Sequence, residues 1–202
     1  LSGAPREVYE EGLIIPPLKA VDGGVENMTF FAMLEANVRV PQQVASDVRA
    51  LITGLHVMQE KVSEFLERHN FANFVGLSKA VRAQSETAMR LGISEHIPEG
   101  VYEGHSSVDG FDEPLHIHAR ITSRNGAVEI DLAGSSPQST YGINCTLVYT
   151  YVWAMYTIKC IACPTVPNNE GTFAPIRVIA PEGCFLNPTF PAPVKMKPSS
   201  GH

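Results

Sequence analysis

The chain has 202 residues, 44% hydrophobic and 18% charged, which is enough to bury a core as one large domain or two small ones. Its net charge of −6, without any cluster of Lys and Arg, excludes nucleic acid or an anionic membrane as the main partner. The first residues lack the apolar stretch of a secretory signal and four cysteines are too few for a disulfide scaffold, so we expect a reduced, cytoplasmic protein.

Residues 1–41 are predicted to form an irregular lead-in segment. Pro16 and Pro17 disfavour helix in the residues that precede them, so the stretch 14–17 is expected to be extended. Residues 30–38 fit either a short helix or a strand, and Pro41 ends that element.

Residues 42–97 are predicted to form a long antiparallel helical hairpin. From Gln42 to His69, apolar residues recur in alternating steps of four and three, which gives one apolar stripe along a helix of about 25 residues. The seven positions are Val44, Val48, Leu51, Leu55, Met58, Val62 and Phe65. Similar spacing follows at Phe74, Leu77, Val81, Gln84, Ala88 and Leu91. Gly92 comes next, where a helix commonly ends.

Residues 98–202 are predicted to form a mixed β region with one buried helix. Alternating apolar residues in 115–121 indicate a half-buried strand, and Asn125-Gly126 predicts a tight turn to a second strand at 128–132. A two-residue loop gives the pairs Arg124–Ala127, Ile121–Ile130, Arg120–Asp131 and Ala119–Leu132.

The apolar stretch 141–163 predicts the buried helix of this region. Its uninterrupted run, 145–158, has about 14 residues, whereas a membrane span needs about 20. Residues 173–179 predict a strand, and Pro181-Glu182-Gly183 predicts a turn. The whole chain is therefore expected to have an α+β fold and to be part of a larger multidomain subunit.

Two groups of residues could bind a metal, but each also has a purely structural explanation. His116 and His118 point to the same side of their strand, with Glu129 and Asp131 beside them on the partner strand, but the sequence fixes no third ligand. A solvated polar face explains all four. The CxxC spacing at 160–163 has no second pair, which favours buried packing over zinc or redox use. We therefore expect that this chain binds no metal itself.

An ordered series of passages along the chain resembles the hydantoinase B/oxoprolinase family. REVYEEGL at 6–13 with IPP at 15–17 is similar to its REIYEEGLRIPP passage. NVRVP at 37–41 with Asp47 resembles its NVRxP…D passage, and EGVY at 99–102 before DG at 109–110 resembles its PDGxY…DxDG passage. The order continues with DLAGSSPQ at 131–138, GIN at 142–144, NEG at 169–171, PI at 175–176, PEG at 181–183, NP at 187–188 and PAPV at 191–194.

The resemblance implies part of an ATP-dependent cyclic amide hydrolase, such as a 5-oxoprolinase or N-methylhydantoinase, or of a related acetone or acetophenone carboxylase. It implies a hydantoinase A-type partner that binds ATP and Mg, and a small cyclic amide or ketone as substrate. The family's motif for a divalent metal, Zn or Mn, lies upstream of the EEGL passage and does not occur in these 202 residues. Both ends resemble internal sequence, so we expect an internal segment that is inactive alone.

Polar residues inside the matched passages are the candidates for an active site. We predict Glu11, Asp47 and Asn144 as catalytic residues and Asn37 and Arg39 as substrate-binding residues. Glu11 could act as a general base or as a carboxylate behind the upstream metal. Asn144, at the start of the apolar helix, could orient an amide or carboxylate. The structural alternatives are that Glu11 pairs with Arg6 or Arg39 and that Asn144 caps its helix.

A function of another class is also open. The helical hairpin at 42–97 could dock a partner subunit and have no part in catalysis. The chain would then be an assembly module.

Overall fold

The computed structural model describes residues 5–194. They belong to two compact units, one comprising Leu1–Gly12 and Leu77–His202 and the other Leu13–Gly76. The extreme ends, which we expect to be internal sequence, lie outside the described residues. The division of the sequence at 41 and 97 stays a prediction.

Runs of strands and runs of helices follow one another along the described chain, as in an α+β fold. A single 3-10 turn covers Val8–Glu10 and precedes all the other elements. The strands are β1 Val21–Asp22, β2 Val25–Glu26, β3 Gly100–Val108, β4 Leu115–Arg124, β5 Ala127–Asp131 and β6 Ile176–Ile179. The helices are α1 Met28–Ala36, α2 Pro41–Arg68, α3 Val75–His96, α4 Leu147–Ala162 and α5 Glu170–Phe173.

The smaller unit, 13–76, contains the β1–β2 hairpin and helices α1 and α2. Residues 30–38 were predicted as a short helix or a strand, and the structure has the helix, α1. It begins after Asn27, whose Oδ1 accepts a hydrogen bond from the Phe30 amide at 3.1 Å. Phe31 is buried, and the Arg49 guanidinium lies 4.2 Å from the centre of its ring. Arg49 also donates to both carboxylate oxygens of Glu26, at 2.9 and 3.1 Å, which joins α2 to β2.

Helix α2 confirms the long predicted helix, but its apolar stripe is largely exposed. Pro41 occupies the first turn, where its missing N–H costs no hydrogen bond. Leu51, Leu55 and Met58 are 71%, 58% and 56% exposed. The pairing of α2 with α3 as a hairpin stays a prediction, because most of α3 belongs to the other compact unit.

Helix α3 differs from its prediction in its buried face and in its end. The buried residues are Ser85, Met89, Gly92 and Ile93, one position along from the predicted face, and Leu91 is 60% exposed. Gly92 does not end the helix, which continues to His96. A Cβ on Gly92 would lie 2.3 Å from the Ala162 carbonyl oxygen of α4. This glycine therefore permits close packing of two helices.

The four-stranded sheet has the order β3-β4-β5-β6, antiparallel except between β5 and β6. The Asn125-Gly126 turn is confirmed, since φ is 51° and 67° at these residues, as a two-residue hairpin loop requires. The β4–β5 register confirms the predicted pairs as far as Arg120–Asp131, where the ladder ends. The next predicted pair, Ala119–Leu132, is not part of it. Strand β3 was not predicted, and all nine of its residues are exposed.

One face of this sheet is covered by α3 and α4. The buried core comprises Met89, Ile93, Leu115, Val128, Ile130, Leu132, Ile158, Ala162, Ile176, Val178, Cys184, Phe185 and Leu186. Helix α4, predicted to be buried, has only one buried face, because Val148, Val152 and Ile161 are more than half exposed. None of the helices in the described part of the chain has the length and apolar character needed to cross a membrane.

The predicted strand at 173–179 begins later, at Ile176. The preceding residues form α5 because the Asn169 side chain accepts hydrogen bonds from the amides of Gly171 and Thr172, at 2.9 and 3.2 Å, and caps the short helix. The predicted turn at 181–183 is present, with Gly183 at a φ of 83°. The four cysteines are free. Cys160 is exposed, so the expected burial of the CxxC pair is wrong for this residue.

Candidate functional site

The loop that follows β5 is bound to β4 through two serines. The Oγ of Ser135 accepts from the His118 amide at 3.1 Å and donates to the His118 carbonyl at 3.2 Å. The Oγ of Ser136 accepts from the His116 amide at 2.9 Å, and the Ser136 amide donates to the His116 carbonyl at 2.8 Å. These contacts continue the sheet past the end of the β4–β5 ladder and fix the start of the DLAGSSPQ passage.

The same loop is fixed further on by two buried or half-buried amide side chains. Gln138 Oε1 accepts from both the amide and the hydroxyl of Thr189, at 2.8 and 2.9 Å. Asn144 is fully buried. Its Oδ1 accepts from the Ser139 amide at 2.8 Å, and its Nδ2 donates to the carbonyls of Ser139, Tyr141 and Pro193 at 2.9–3.1 Å. Thr146, not Asn144, is the N-cap of α4, so the capping interpretation is wrong.

Two of the five predicted site residues bind neighbouring points of one segment. A carboxylate oxygen of Glu11 accepts from the amide of Val194, and Asn144 donates to the carbonyl of Pro193. The Val8 amide adds a further bond to the Pro191 carbonyl at 2.9 Å. Glu11 and Asn144 therefore both hold the end of the PAPV passage.

The other three predicted site residues lie in the smaller unit. Asn37 follows the last residue of α1, and its Nδ2 donates to the Met33 carbonyl at 2.8 Å, which is a capping contact at the helix end. Arg39 lies in the short link to α2, and Asp47 lies near the start of α2; both are exposed. The five residues thus do not form a site within one unit.

A cleft lined by polar and aromatic residues lies beside the loop, in the larger unit. Its volume is about 200 Å³, and its lining includes Phe111, Asp112, Ser136 and Tyr141. The Phe111 ring stacks on the Tyr141 ring with centroids 4.5 Å apart, and the Tyr141 hydroxyl donates to Asp112 at 3.1 Å. A second cleft of about 490 Å³ shares Gln138, Ser139 and Thr140 with the first.

Arg6 lines the second cleft and contacts residues of the loop. Its guanidinium donates to Thr140 Oγ1 at 3.1 Å and to the Tyr141 hydroxyl at 3.2 Å, and it lies 4.0 Å from the centre of the Tyr141 ring. A guanidinium has five N–H donors, so donors remain for a carbonyl or carboxylate. From the sequence, Arg6 was expected only as an ion-pair partner for Glu11. Its position as the first residue of the REVYEEGL passage could have identified it as a candidate site residue.

One group of metal-ligand side chains lies close together among the described residues. It consists of Glu103 and His105 on β3 and His118 on β4. Of the two histidines singled out by their spacing, His118 belongs to this group, whereas His116 forms a 2.8 Å hydrogen bond with Ser107. Glu129, expected on the same polar face, accepts from Arg177 of β6 at 3.1 Å.

The family model for hydantoinase B/oxoprolinase matches residues 1–200. The chain belongs to this family. It is 31% identical over 210 residues to the B-type subunit of a putative D-/L-hydantoinase from Pseudomonas sp. (strain NS671), a match that covers 97% of the chain and 35% of the relative.

Two solved structures share the fold. An ATP-dependent caprolactamase from Pseudomonas jessenii is 24% identical with a TM-score of 0.78, over 93% of this chain and 33% of that one. A nucleotide-free acetone carboxylase is 18% identical with a TM-score of 0.79, over 95% of this chain and 27% of that one. This hydantoinase B-type chain therefore spans about a third of the hydantoinase subunit and of the caprolactamase, and about a quarter of the acetone carboxylase. The shared fold confirms the α+β prediction.

Proposed function

We propose that the chain is a segment of a hydantoinase B-type subunit that opens a cyclic amide in an ATP-dependent reaction. The observation that carries the proposal is the family match along nearly the whole chain, together with the cleft that three of the matched passages line. The relative named as a hydantoinase subunit and the solved structure named as an ATP-dependent caprolactamase both act on cyclic amides by their names. Carboxylation of a ketone is the alternative reaction within this proposal, and the fold shared with the acetone carboxylase supports it.

The cofactors and the partner belong to the same proposal. A hydantoinase A-type subunit or domain would bind ATP and Mg, and the divalent metal, Zn or Mn, would be held upstream of residue 6. The motif that the resemblance assigns to that metal is absent from this chain, so no residue here is assigned to it. The complete assembly would act in the cytoplasm on a small molecule.

The chemistry open to the described residues is substrate binding and orientation. Arg6 has guanidinium N–H groups at the cleft, and the polarised oxygen of an amide or a carboxylate is the group that such donors bind best. The Phe111 ring, which is 49% exposed, provides an aromatic face for a flat ring at the first cleft, because the Tyr141 ring already stacks on Phe111 and contacts Arg6. We propose Arg6 as the residue that contacts the substrate in the complete enzyme.

Glu11 and Asn144 would then be positioning residues. Their side chains bind the backbone at 193 and 194, which lies beside the cleft that Arg6 lines. For Asn37, Arg39 and Asp47, a contact with substrate remains a proposal that rests on the matched NVRVP…D passage alone.

Turnover by the complete subunit with its ATP-binding partner tests the role of Arg6. We expect Arg6→Ala to reduce kcat/KM for ring opening by at least about tenfold, because removal of a charged hydrogen-bond donor costs roughly 1.5–3 kcal/mol. The matched control is Arg177→Ala, another exposed arginine, which pairs with Glu129 at 3.1 Å. Equal kcat/KM in Arg6→Ala and wild type, at equal Tm, would contradict the assignment.

Glu11→Gln and Asn144→Ala separate positioning from mere stability. If both residues position the cleft wall, turnover per folded enzyme falls in each variant. If their role is only structural, Tm falls by several degrees and turnover per folded enzyme stays intact.

The assembly module is a second candidate function, favoured by the exposed apolar stripe of α2. Large apolar side chains spaced along one helix face and left in water are typical of a surface that a partner covers. Size-exclusion chromatography with and without the partner tests it. Replacement of Leu51, Leu55 and Met58 by Gln is expected to abolish co-elution and leave the helical content unchanged.

A further inference from the structure

His105 and His118 face each other on adjacent strands. They are direct partners in the β3–β4 register, and their rings stack with centroids 4.7 Å apart. Glu103 lies two residues before His105, so its side chain points to the same side of the sheet. One ligand atom from each of the three side chains lies within 4.8 Å of the other two. The pairing of β3 with β4 thus joins three ligands that are distant in sequence.

The His118 ring is held in the tautomer that a metal requires. Its Nδ1 lies 2.6 Å from the Ala133 carbonyl oxygen, and a carbonyl can only accept, so Nδ1 carries a proton and the lone pair of the neutral ring is on Nε2. A backbone carbonyl behind a histidine ligand is the usual arrangement in metal sites. Gly134 allows this approach, because a Cβ there would lie 3.2 Å from Nδ1 and its φ is 91°.

We propose that Glu103, His105 and His118 bind a divalent transition-metal ion of the zinc class. Two imidazoles and one carboxylate are a donor set that zinc accepts in proteins. Metal–ligand bonds of about 2.0–2.1 Å place tetrahedral ligands about 3.3 Å apart, so the three atoms must approach by at most about 1.5 Å. Glu103 and His105 are exposed and can rotate to do so, while His118 is half-buried and already fixed.

The site would join an edge strand to the sheet. All nine residues of β3 are exposed, so few apolar contacts hold it. A metal bridge between β3 and β4 would stabilise it, and three protein ligands leave a position for water or another ligand. Arg120 stands opposite Glu103, and Asp131 stands opposite Arg120. Removal of the Arg120 charge is therefore expected to tighten metal binding.

The expectation that the chain binds no metal rested on His116 and His118 as the only histidines with useful spacing. That spacing describes one strand. In the structure, His118 lies beside Glu103 and His105 of β3, a strand that the sequence pattern did not reveal. His116 forms a hydrogen bond with Ser107 instead.

Cobalt titration of the full-length protein that contains this chain tests the site. The protein is stripped with a chelator and titrated with Co²⁺, whose visible absorption reports the ligand geometry, and the bound metal is counted by elemental analysis. We expect wild type to bind about one Co²⁺ per chain more than a His105→Ala/His118→Ala variant. Glu103→Gln, an isosteric change on an exposed strand, is expected to weaken binding by at least about tenfold. His116→Ala is the matched control and is expected to bind as wild type does.

The outcomes separate the assignments. A wild-type protein that binds no more Co²⁺ than the double variant, with both folded by circular dichroism, overturns the proposal. Loss of the same equivalent in His116→Ala would show that the ligand set is wrong. Loss in the double variant and in Glu103→Gln, with His116→Ala intact, supports it. The count does not depend on ring-opening activity, so it stands apart from the proposed function.

Discussion

Gly92→Ala is expected to destabilise the larger unit although alanine is the better helix former. A methyl group at this position would lie 2.3 Å from the Ala162 carbonyl oxygen and 3.3 Å from the Cys163 Cβ. The oxygen is part of the backbone and cannot rotate away, so α3 and α4 must move apart. Overpacking costs about 1–3 kcal/mol, with rigid neighbours at the upper end, and helix propensity returns about 1 kcal/mol. The expected net loss is about 2 kcal/mol of unfolding free energy.

Denaturation followed by tryptophan fluorescence measures this loss. Trp153, the single tryptophan, lies on α4, the helix that Gly92 contacts. Two other helical glycines serve as controls, because no atom lies within 4 Å of a Cβ built on Gly76 or Gly54. Alanine at either control is expected to be neutral or to stabilise by up to about 1 kcal/mol. If Gly92→Ala is as stable as the controls, propensity governs the position and the close packing of α3 on α4 is refuted.

Two further predictions concern the polar contacts. Asn144→Ala removes the side-chain partner of the Ser139 amide and of the Ser139 and Pro193 carbonyls in a buried place, while the Tyr141 carbonyl keeps the Ile143 amide. The unfolding free energy is therefore expected to fall by about 2–3 kcal/mol. Urea denaturation checks this, and a loss below about 0.5 kcal/mol would contradict it. The hydrogen bond from Arg49 lowers the pKa of Glu26 below 4.5, so its stabilisation is present above pH 4.5 and is lost as the pH falls through the lower folded value. The Tm of Glu26→Gln is therefore expected to fall less steeply than that of wild type below pH 4.5, and parallel curves would contradict the ion pair.

The sequence predicted the elements whose signals are local. The β4–β5 turn depends on two residues that tolerate positive φ, and Asn125-Gly126 supplies them. Helix α2 was predicted from the apolar residues that recur every three or four positions between Val44 and Phe65, a pattern that lies within one stretch of sequence. Strand β3 was missed because neither of its faces is buried, so no alternation of apolar residues marks it.

Features that depend on distant parts of the chain were predicted poorly. The buried face of α3 is set by its contact with α4, about 70 residues further along the chain. A glycine such as Gly92 is found both at the ends of helices and at close helix contacts, so its identity does not distinguish the two roles. Asn144 was placed correctly as a buried polar residue, but its partner at Pro193 could not be deduced from spacing. The same holds for Arg6 and Tyr141, which only the fold brings together.

ATP-dependent ring opening by the complete subunit is the most direct test of the proposed function. The full-length protein is purified with its hydantoinase A-type partner and supplied in turn with 5-oxoproline, a hydantoin, caprolactam and acetone. ADP release and the ring-opened or carboxylated product are measured together. The account predicts product from one substrate class, in proportion to ADP, only when both subunits and ATP are present. Co-elution of the two subunits without ADP or product from any of these substrates would contradict it and favour the assembly module.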